Sequence, residues 1–335
     1  MGSVLAACLP LKCCLSAPRW PCWPSPARLA QAQAVPNPGE RVENLVTFGA
    51  QSDKKWGDDD FSQTFFFLIP EKQRDLVYIR VWDPGCGGEH DDLKGPANTT
   101  TSFSLYGGPG TFSGPQARDP RPTNPVPPGL LKSQTFGTEP HYNGQWYTFG
   151  PLNPLESEPV DEFRGRVFKV VMRGLAGNDG NLYRYFFSTS PTANVAVEGG
   201  NAFTYEYCFR LPAAATDAKT TVHLYPFVND KVVSIKQSSF DVDRAAALAV
   251  FSVARNGQPG TGTVSGDGEW TSSVLPIAAK EHGLSLDFRL TSSLRTPNDM
   301  VFYVTDQYNT ALPFFAIPLG GPPRYQYDID VKVHR

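Results

Sequence analysis

Hydrophobic and polar residues alternate over short segments of this chain. In residues 76–82, LVYIRVW, the side chains of Val77, Ile79 and Val81 share one face, and Arg80 lies on the other. A period of two is typical of a strand with one buried face. The preceding segment, FSQTFFFLI at 61–69, is rich in aromatic residues and also predicts a strand.

Segments of this kind recur along the chain, most of them five to ten residues long, with Gly, Pro, Asn or Asp between them. Asn178-Asp179-Gly180 separates two of them and predicts a β-hairpin. Residues 241–251 predict either a short helix capped by Asp241 or Asp243, or a strand. The further predicted strands are 100–107, 144–150, 165–174, 181–190, 202–211, 220–228, 231–240, 247–255, 271–278, 283–290, 299–306, 312–318 and 325–333.

Short strands without alternating helices predict an all-β fold, with two β-sandwich domains, jelly-roll or Ig-like, in tandem. Prolines are dense between Pro109 and Pro159, and proline cannot donate to a strand ladder. We therefore expect a first β-sandwich domain at 40–195 with a proline-rich insertion at 108–160, containing one short strand at 144–150. The second β-sandwich domain is expected at 196–335.

The first 34 residues differ from the rest of the chain. They contain four of the six cysteines, three basic residues and no acidic residue, and they end in the small-residue run AQAQA. This composition predicts an export leader at 1–34 with an A-x-A cleavage signal. A mis-assigned start and a lipid anchor at Cys8 are the alternatives. No later stretch has the roughly 18 apolar residues of a membrane span, so we expect an extracellular, periplasmic or cell-envelope protein.

Charge and cysteine content narrow the choice of partner. The chain has 30 basic and 33 acidic residues, a net charge of −3, with no long run of either sign, and this argues against nucleic acid as a partner.

Beyond the leader only Cys86 and Cys208 remain. In an exported protein they can form a disulfide, and two buried free thiols are the alternative.

Acidic residues cluster in two turns that adjoin predicted strands. Ca²⁺ takes about six to eight oxygen ligands, and glycine-rich turns can supply carbonyls besides carboxylates. A structural calcium site is therefore a candidate; solvated turn acids and catalytic carboxylates are the alternatives. Zinc is not expected, because C-x2-C and H-E-x-x-H are missing. The candidate metal ligands are Asp58, Asp59, Asp60, Asp83, Glu89, Asp91 and Asp92.

Aromatic residues in the proline-rich segment suggest a binding surface. If exposed, Tyr142, Trp146 and Tyr147 could stack against a sugar ring or a partner's apolar patch; alternatively they anchor the segment. The G-x-S-x-G elbow and the Walker A loop are missing, so we do not expect an enzyme. A polysaccharide-acting enzyme with two facing carboxylates is the less favoured alternative.

Several of these motifs together resemble a known module. The strands FFFLIP and LVYIRVWDP, a later acid pair and the strand SFSLYGG, all within residues 57–190, resemble the bacterial pre-peptidase C-terminal type of β-sandwich. The resemblance implies an exported, non-catalytic module. The proline-rich insertion and the lack of a peptidase domain beside it depart from that family's pattern.

These observations lead to one functional expectation. We expect an exported, non-enzymatic β-sandwich protein of the cell envelope or exterior that acts in surface interaction or assembly, with Ca²⁺ as the candidate stabilising ion. Its partner is expected to be a surface protein or a glycan. The alternative is a carbohydrate-binding protein.

Overall fold

The computed structural model describes residues 32–58, 60–119, 129–214, 218–244, 246–294 and 296–320. In these ranges the chain forms strands and four short 3-10 helices, and no α-helix. The all-β prediction is therefore confirmed. Most of the predicted leader, Asp59 and the predicted strand at 325–333 lie outside the described residues.

The described residues contain 21 strands. The 3-10 helices are Pro140–Tyr142, Pro154–Glu156, Asp161–Phe163 and Ala279–Glu281. The strands are β1 (Asn44–Phe48), β2 (Ser62–Pro70), β3 (Val77–Trp82), β4 (Thr100–Tyr106), β5 (Leu130–Phe136), β6 (Trp146–Leu152), β7 (Glu158–Val160), β8 (Gly165–Ala176), β9 (Gly180–Ser188), β10 (Asn201–Thr204), β11 (Glu206–Leu211), β12 (Thr220–Leu224), β13 (Phe227–Val228), β14 (Ser234–Phe240), β15 (Ala246–Phe251), β16 (Gly260–Gly262), β17 (Trp270–Pro276), β18 (Leu284–Ser285), β19 (Asp287–Ser292), β20 (Asn298–Asp306) and β21 (Phe314–Phe315).

Two large antiparallel sheets organise these strands. The eight-stranded sheet has the order β17-β14-β20-β11-β1-β9-β3-β6, and the seven-stranded sheet has the order β21-β10-β2-β8-β4-β5 with β7 beside β8. A four-stranded sheet, β12-β19-β15-β16, and the pair β13-β18 complete the fold. Both large sheets contain strands from either side of residue 195, so the division into two tandem sandwiches is not confirmed.

The main hydrophobic core contains side chains from both large sheets. Phe209 of β11 and Tyr183 of β9 come from the eight-stranded sheet, and Phe168 of β8 and Phe103 of β4 come from the seven-stranded sheet; all four are buried in one cluster. Burial of apolar surface between the two sheets, to which these aromatic rings contribute, is the dominant favourable term in folding.

Strand β2 is buried on both faces. Phe65 and Phe67 contribute to the main core, whereas Phe66 and Leu68 belong to a second cluster. In that second cluster Phe66 stacks on Phe203, with ring centroids 5.0 Å apart. This explains why the sequence FFFLI is uniformly apolar rather than alternating.

The predicted hairpin around Asn178-Asp179-Gly180 is wrong. Strand β8 pairs with β2 and β4, whereas β9 pairs with β1 and β3, so the turn connects the two large sheets. The Asp179 carboxylate accepts hydrogen bonds from the main-chain amides of Lys94 and Asn98, at 2.9 and 2.8 Å. These bonds hold the crossing chain against the 94–98 loop.

The proline-rich segment contains more strand than predicted. Besides β6 it contributes β5, which pairs with β4. No proline lies between Pro128 and Pro140, so every residue of β5 keeps its main-chain donor. Both β5 and β6 are terminal strands of their sheets, and Pro151 in β6 fits such an edge position. At 241–251 the strand alternative is confirmed by β15.

Candidate functional site

The acidic turn after β3 uses two of its carboxylates to bind main-chain amides. Asp83 is fully buried, and its Oδ1 accepts a hydrogen bond from the Gly144 amide at 2.9 Å. Asp91 Oδ1 accepts from the Leu182 amide at 2.8 Å, and its Oδ2 accepts from the amides of Gly87 and Gly88. These acids therefore connect the turn to β9 and to the loop before β6.

Burial dominates the electrostatics of both carboxyl groups. Burial raises the pKa of Asp91 to about 6, although the hydrogen bonds from main-chain amides oppose this. Burial also raises the pKa of Asp83, against the effects of the Gly144 amide and the charges of His90 and Arg184. A carboxylate removed from water in this way is stabilised by a nearby positive charge.

The remaining acids of this turn face other groups. Asp92 Oδ2 lies 2.6 Å from Lys94 Nζ and 3.6 Å from an Arg210 guanidinium nitrogen. Glu89 is exposed, with its Oε1 3.9 Å from His90 Nε2. Asp92 is thus already paired with cations, and Glu89 faces solvent.

The second predicted acidic turn also caps main-chain amides. Asp58 is 2% exposed, and its carboxylate accepts from Phe61 N at 2.8 Å, Asp60 N at 3.1 Å and Phe48 N at 3.4 Å. Asp60 Oδ1 accepts from Ser62 N at 2.9 Å. Asp59 lies outside the described residues.

One group of three acids in the described chain brings its ligand atoms within 4.8 Å of one another: Asp241, Asp243 and Asp267. The described members of the predicted set form no such group. Gly268 N donates to Asp241 Oδ1 at 2.7 Å. Burial and the charges of Asp243 and Asp267 raise the pKa of Asp241 to about 6. The sequence predicts Asp241 or Asp243 only as the cap of a short helix, which is one of the two alternatives for residues 241–251.

Cys86 and Cys208 are buried free thiols, so the disulfide allowed by the sequence is not formed in this structure. Their surroundings differ: Cys208 Sγ donates to the Gly57 carbonyl at 3.3 Å, whereas Cys86 lies within the acidic turn and hydrogen-bonds with Thr99. Burial raises the pKa of both thiols. The structure therefore agrees with the alternative of two buried free thiols.

The three predicted binding aromatics have two different roles. Tyr142 and Tyr147 pack against Phe136, with ring centroids 4.8 and 5.0 Å away, and both contact the main core. Trp146 is 36% exposed. Tyr142 and Tyr147 therefore anchor their segment. Of the three predicted aromatics, only Trp146 is exposed enough to contact a ligand.

Trp146 belongs to a surface built from three adjacent strands. It pairs with Trp82 of β3, and Trp82 pairs with Arg184 of β9. The guanidinium carbon of Arg184 lies 4.5 Å from the Trp82 ring centroid, and that of Arg80 lies 4.7 Å from the Trp146 ring centroid. We call Arg80, Trp82, Trp146 and Arg184 the tryptophan–arginine surface.

Hydrogen bonds hold this surface in place. Trp82 Nε1 donates to the Gly144 carbonyl at 3.0 Å, and Arg184 Nε donates to Asn44 Oδ1 at 2.9 Å. The sequence does not reveal Arg80, Trp82 and Arg184 as a group, because Arg184 joins the other two only through the pairing of β9 with β3. The alternation of β3 placed Arg80 opposite its buried face, which was the one available signal.

A groove of about 510 Å³ adjoins this surface. Its lining includes Trp146, Arg184 and Tyr185, together with residues from the 34–45 segment such as Arg41 and Glu43. Aromatic walls with charged groups at the rim are typical of sites that hold small molecules or sugar units.

A larger cleft of about 750 Å³ lies elsewhere, between the 113–119 segment and the 303–313 segment. Arg118 and Lys236 are among its lining residues. The main chain of its first wall is held by Glu158, whose carboxylate accepts from the amides of Phe112 and Ser113. Among the described residues, none of the candidate metal ligands or binding aromatics predicted above lines this cleft.

Comparison with known proteins leaves the family open. No protein-family model and no curated protein matches the chain. In the part of the chain that the structure describes, there is no helix long and apolar enough to cross a membrane.

Proposed function

We propose that this chain is an exported, non-enzymatic β-sandwich protein of the cell envelope or exterior, stabilised by calcium, that acts in surface interaction or assembly. The tryptophan–arginine surface is its binding site. The observation that carries the proposal is the pairing of Trp82 and Trp146 on neighbouring strands, each with an arginine guanidinium within 5 Å of its ring.

The chemistry of this surface suits an anionic, partly apolar partner. Tryptophan rings offer flat apolar area, and the exposed Arg184 offers donors for carboxylate, sulfate or phosphate groups. Arg80 is buried and supports the Trp146 ring. Trp82 and Arg184 are already held by hydrogen bonds, so less conformational entropy is lost when a partner binds. Trp and Arg are also the side chains that most often dominate interface energies.

Carbohydrate binding is the second candidate function. It is favoured by the groove beside Trp146, where a sugar ring can stack on the indole while its substituents reach Arg184 and Arg41. Sugars that carry carboxylate or sulfate groups fit these two arginines best. Neutral sugars would use only the indole.

A binding experiment separates these candidates. Labelled full-length chain is incubated with a glycan array and, separately, with an envelope fraction from the cells that produce it. We expect envelope binding that Arg184→Gln weakens, because the exposed charge at the Trp82 ring face is removed. The matched control is Tyr308→Ala, which removes a 75% exposed aromatic side chain from a different turn. Binding of acidic glycans by the array would favour the carbohydrate candidate.

Two further measurements address export and catalysis. N-terminal sequencing of the chain recovered from the envelope or medium is expected to begin close to residue 35. Incubation with polysaccharides is expected to release no reducing ends. Recovery of the intact chain only from the cell interior, or release of reducing ends, would contradict the proposal.

A further inference from the structure

Three buried oxygen atoms near the acidic turn have no hydrogen-bond partner: Asp83 Oδ2, Asn143 Oδ1 and Asn181 Oδ1. Asp83 and Asn181 are both 0% exposed. An acceptor buried without a partner destabilises the folded state, and more so when it is charged. Three such atoms in one region call for a ligand that supplies positive charge.

All three side chains lie close to the same short stretch of main chain, residues 83–85. Asp83 Oδ1 accepts from the amide of Gly144, the residue after Asn143. Asn181 Nδ2 donates to the Pro84 carbonyl at 2.9 Å. A Cβ built on Gly85 would lie 3.9 Å from Asn143 Oδ1. The end of β3, the loop before β6 and the start of β9 therefore meet at this turn.

Asp91 adds negative charge beside these atoms. Its two carboxylate oxygens already accept three main-chain amide hydrogens, so it is fixed in place behind the turn. Its charge interacts unfavourably with that of Asp83. The charges of His90 and Arg184 partly offset that of Asp83, but neither side chain donates to Oδ2.

We propose that Asp83 Oδ2, Asn143 Oδ1 and Asn181 Oδ1 are ligands of one Ca²⁺ ion, with water completing its shell. Hard oxygen donors from carboxylate and amide groups are the ligands that Ca²⁺ prefers, and it tolerates an irregular shell. Asp83 supplies one negative charge to the ion, and Asp91 adds a second negative charge that interacts with Asp83.

This inference rests on the calcium part of the proposed function and changes its residues. Of the seven acids expected from the sequence, only Asp83 is a direct ligand, and Asp91 supports the turn. The two asparagines come from outside the acidic turn. Asn143 and Asn181 were not candidates because an amide in a strand or loop carries no metal signal of its own.

Calorimetric titration with Ca²⁺ and thermal melting of the full chain, in chelator and in millimolar Ca²⁺, test the assignment. We expect Ca²⁺ to raise the melting temperature of the parent chain by about 3 °C or more. Asp83→Asn should lose the shift and bind Ca²⁺ at least tenfold more weakly. In chelator this variant should melt no lower than the parent chain, because the buried charge is gone while Gly144 keeps an acceptor.

Asn143→Ala serves as the second variant, since this side chain is only half-buried and its loss is less harmful to folding; it too should weaken Ca²⁺ binding. Asp267→Asn, in the acidic group of Asp241 and Asp243, is the matched control and should keep the full shift.

The outcomes separate this assignment from the broader proposal. If Asp267→Asn abolishes the shift while Asp83→Asn keeps it, calcium stabilisation stands and the assignment to Asp83 is overturned. If the parent chain shows neither heat nor a melting shift, water alone fills the site, and both calcium claims fall. Binding through the tryptophan–arginine surface is tested separately with Trp146→Ala, because Arg184 also acts on the charge of Asp83.

Discussion

The buried carboxyl group of Asp58 should make the protein less stable as the pH rises. Asp58 is 2% exposed, and burial, reinforced by the charge of Asp60, raises its pKa to about 8. The hydrogen bonds that it accepts from three main-chain amides reduce this shift without cancelling it. In the unfolded chain an aspartic acid titrates near pH 4.

The sign follows from these two pKa values. Below about pH 4 the group is protonated in both states, and its contribution to stability is fully present. Between about pH 4 and pH 8 the unfolded chain releases the proton and the folded chain keeps it, so stability falls by up to about 1.4 kcal/mol per pH unit. From pH 5 to pH 8 this amounts to about 4 kcal/mol, a large part of a typical folding free energy.

Urea denaturation at pH 5, 6, 7 and 8, in the presence of chelator, measures this loss. Asp58→Asn keeps an oxygen that can accept from Phe61 and Asp60 but cannot ionise, so its free energy of unfolding should fall by several kcal/mol less than that of the parent chain. Other carboxyl groups with a raised pKa, such as Asp91, contribute equally to both proteins.

Asp53→Asn, an exposed position in the same loop, is the control and should follow the parent curve. Parallel pH dependences for the parent chain and Asp58→Asn would refute the reasoning, because the buried carboxyl would then titrate alike in the folded and unfolded states.

Three further predictions concern the fold. Glu158→Gln weakens the acceptor for the amides of Phe112 and Ser113, so unfolding should cost about 1–3 kcal/mol less and trypsin should cleave the 113–119 segment faster. Phe66→Ala leaves a cavity in the second hydrophobic cluster and should lower the free energy of unfolding by about 3–5 kcal/mol in urea titration. Residues 32–195 produced alone should give no cooperative unfolding transition, because β1 and β2 lose the partners β11 and β10; cooperative unfolding would instead support two tandem domains.

Local strand positions followed from the sequence because alternation and turn residues act over a few residues. The segment 76–82 predicted β3, and Arg80 fell on the face opposite the core, as the alternation required. The sequence did not predict which sheet each strand joins. The residues Asn178-Asp179-Gly180 indicate a turn, but they do not determine which strand pairs with the strand that follows it. For the same reason the sequence predicted a β-hairpin of β8 and β9, although the two strands belong to different sheets.

The candidate sites were harder to predict than the strands. Acids cluster in sequence at 83–92, yet most of them accept main-chain hydrogen bonds or pair with cations, a use that composition does not distinguish from metal binding. Trp146 was predicted, whereas Arg184 and Trp82 join it only through the pairing of β9, β3 and β6. Contacts across strands distant in sequence depend on the tertiary fold.

The dissociation constant of the folded chain for the envelope fraction, measured before and after Trp146→Ala, tests the proposed binding surface most directly. Trp146 is exposed, so its loss should leave melting nearly unchanged while it removes both the indole face and the stacking partner of Arg80. The proposed surface predicts at least tenfold weaker binding for Trp146→Ala and unchanged binding for Tyr308→Ala. Equal affinities for Trp146→Ala and the parent chain would contradict it.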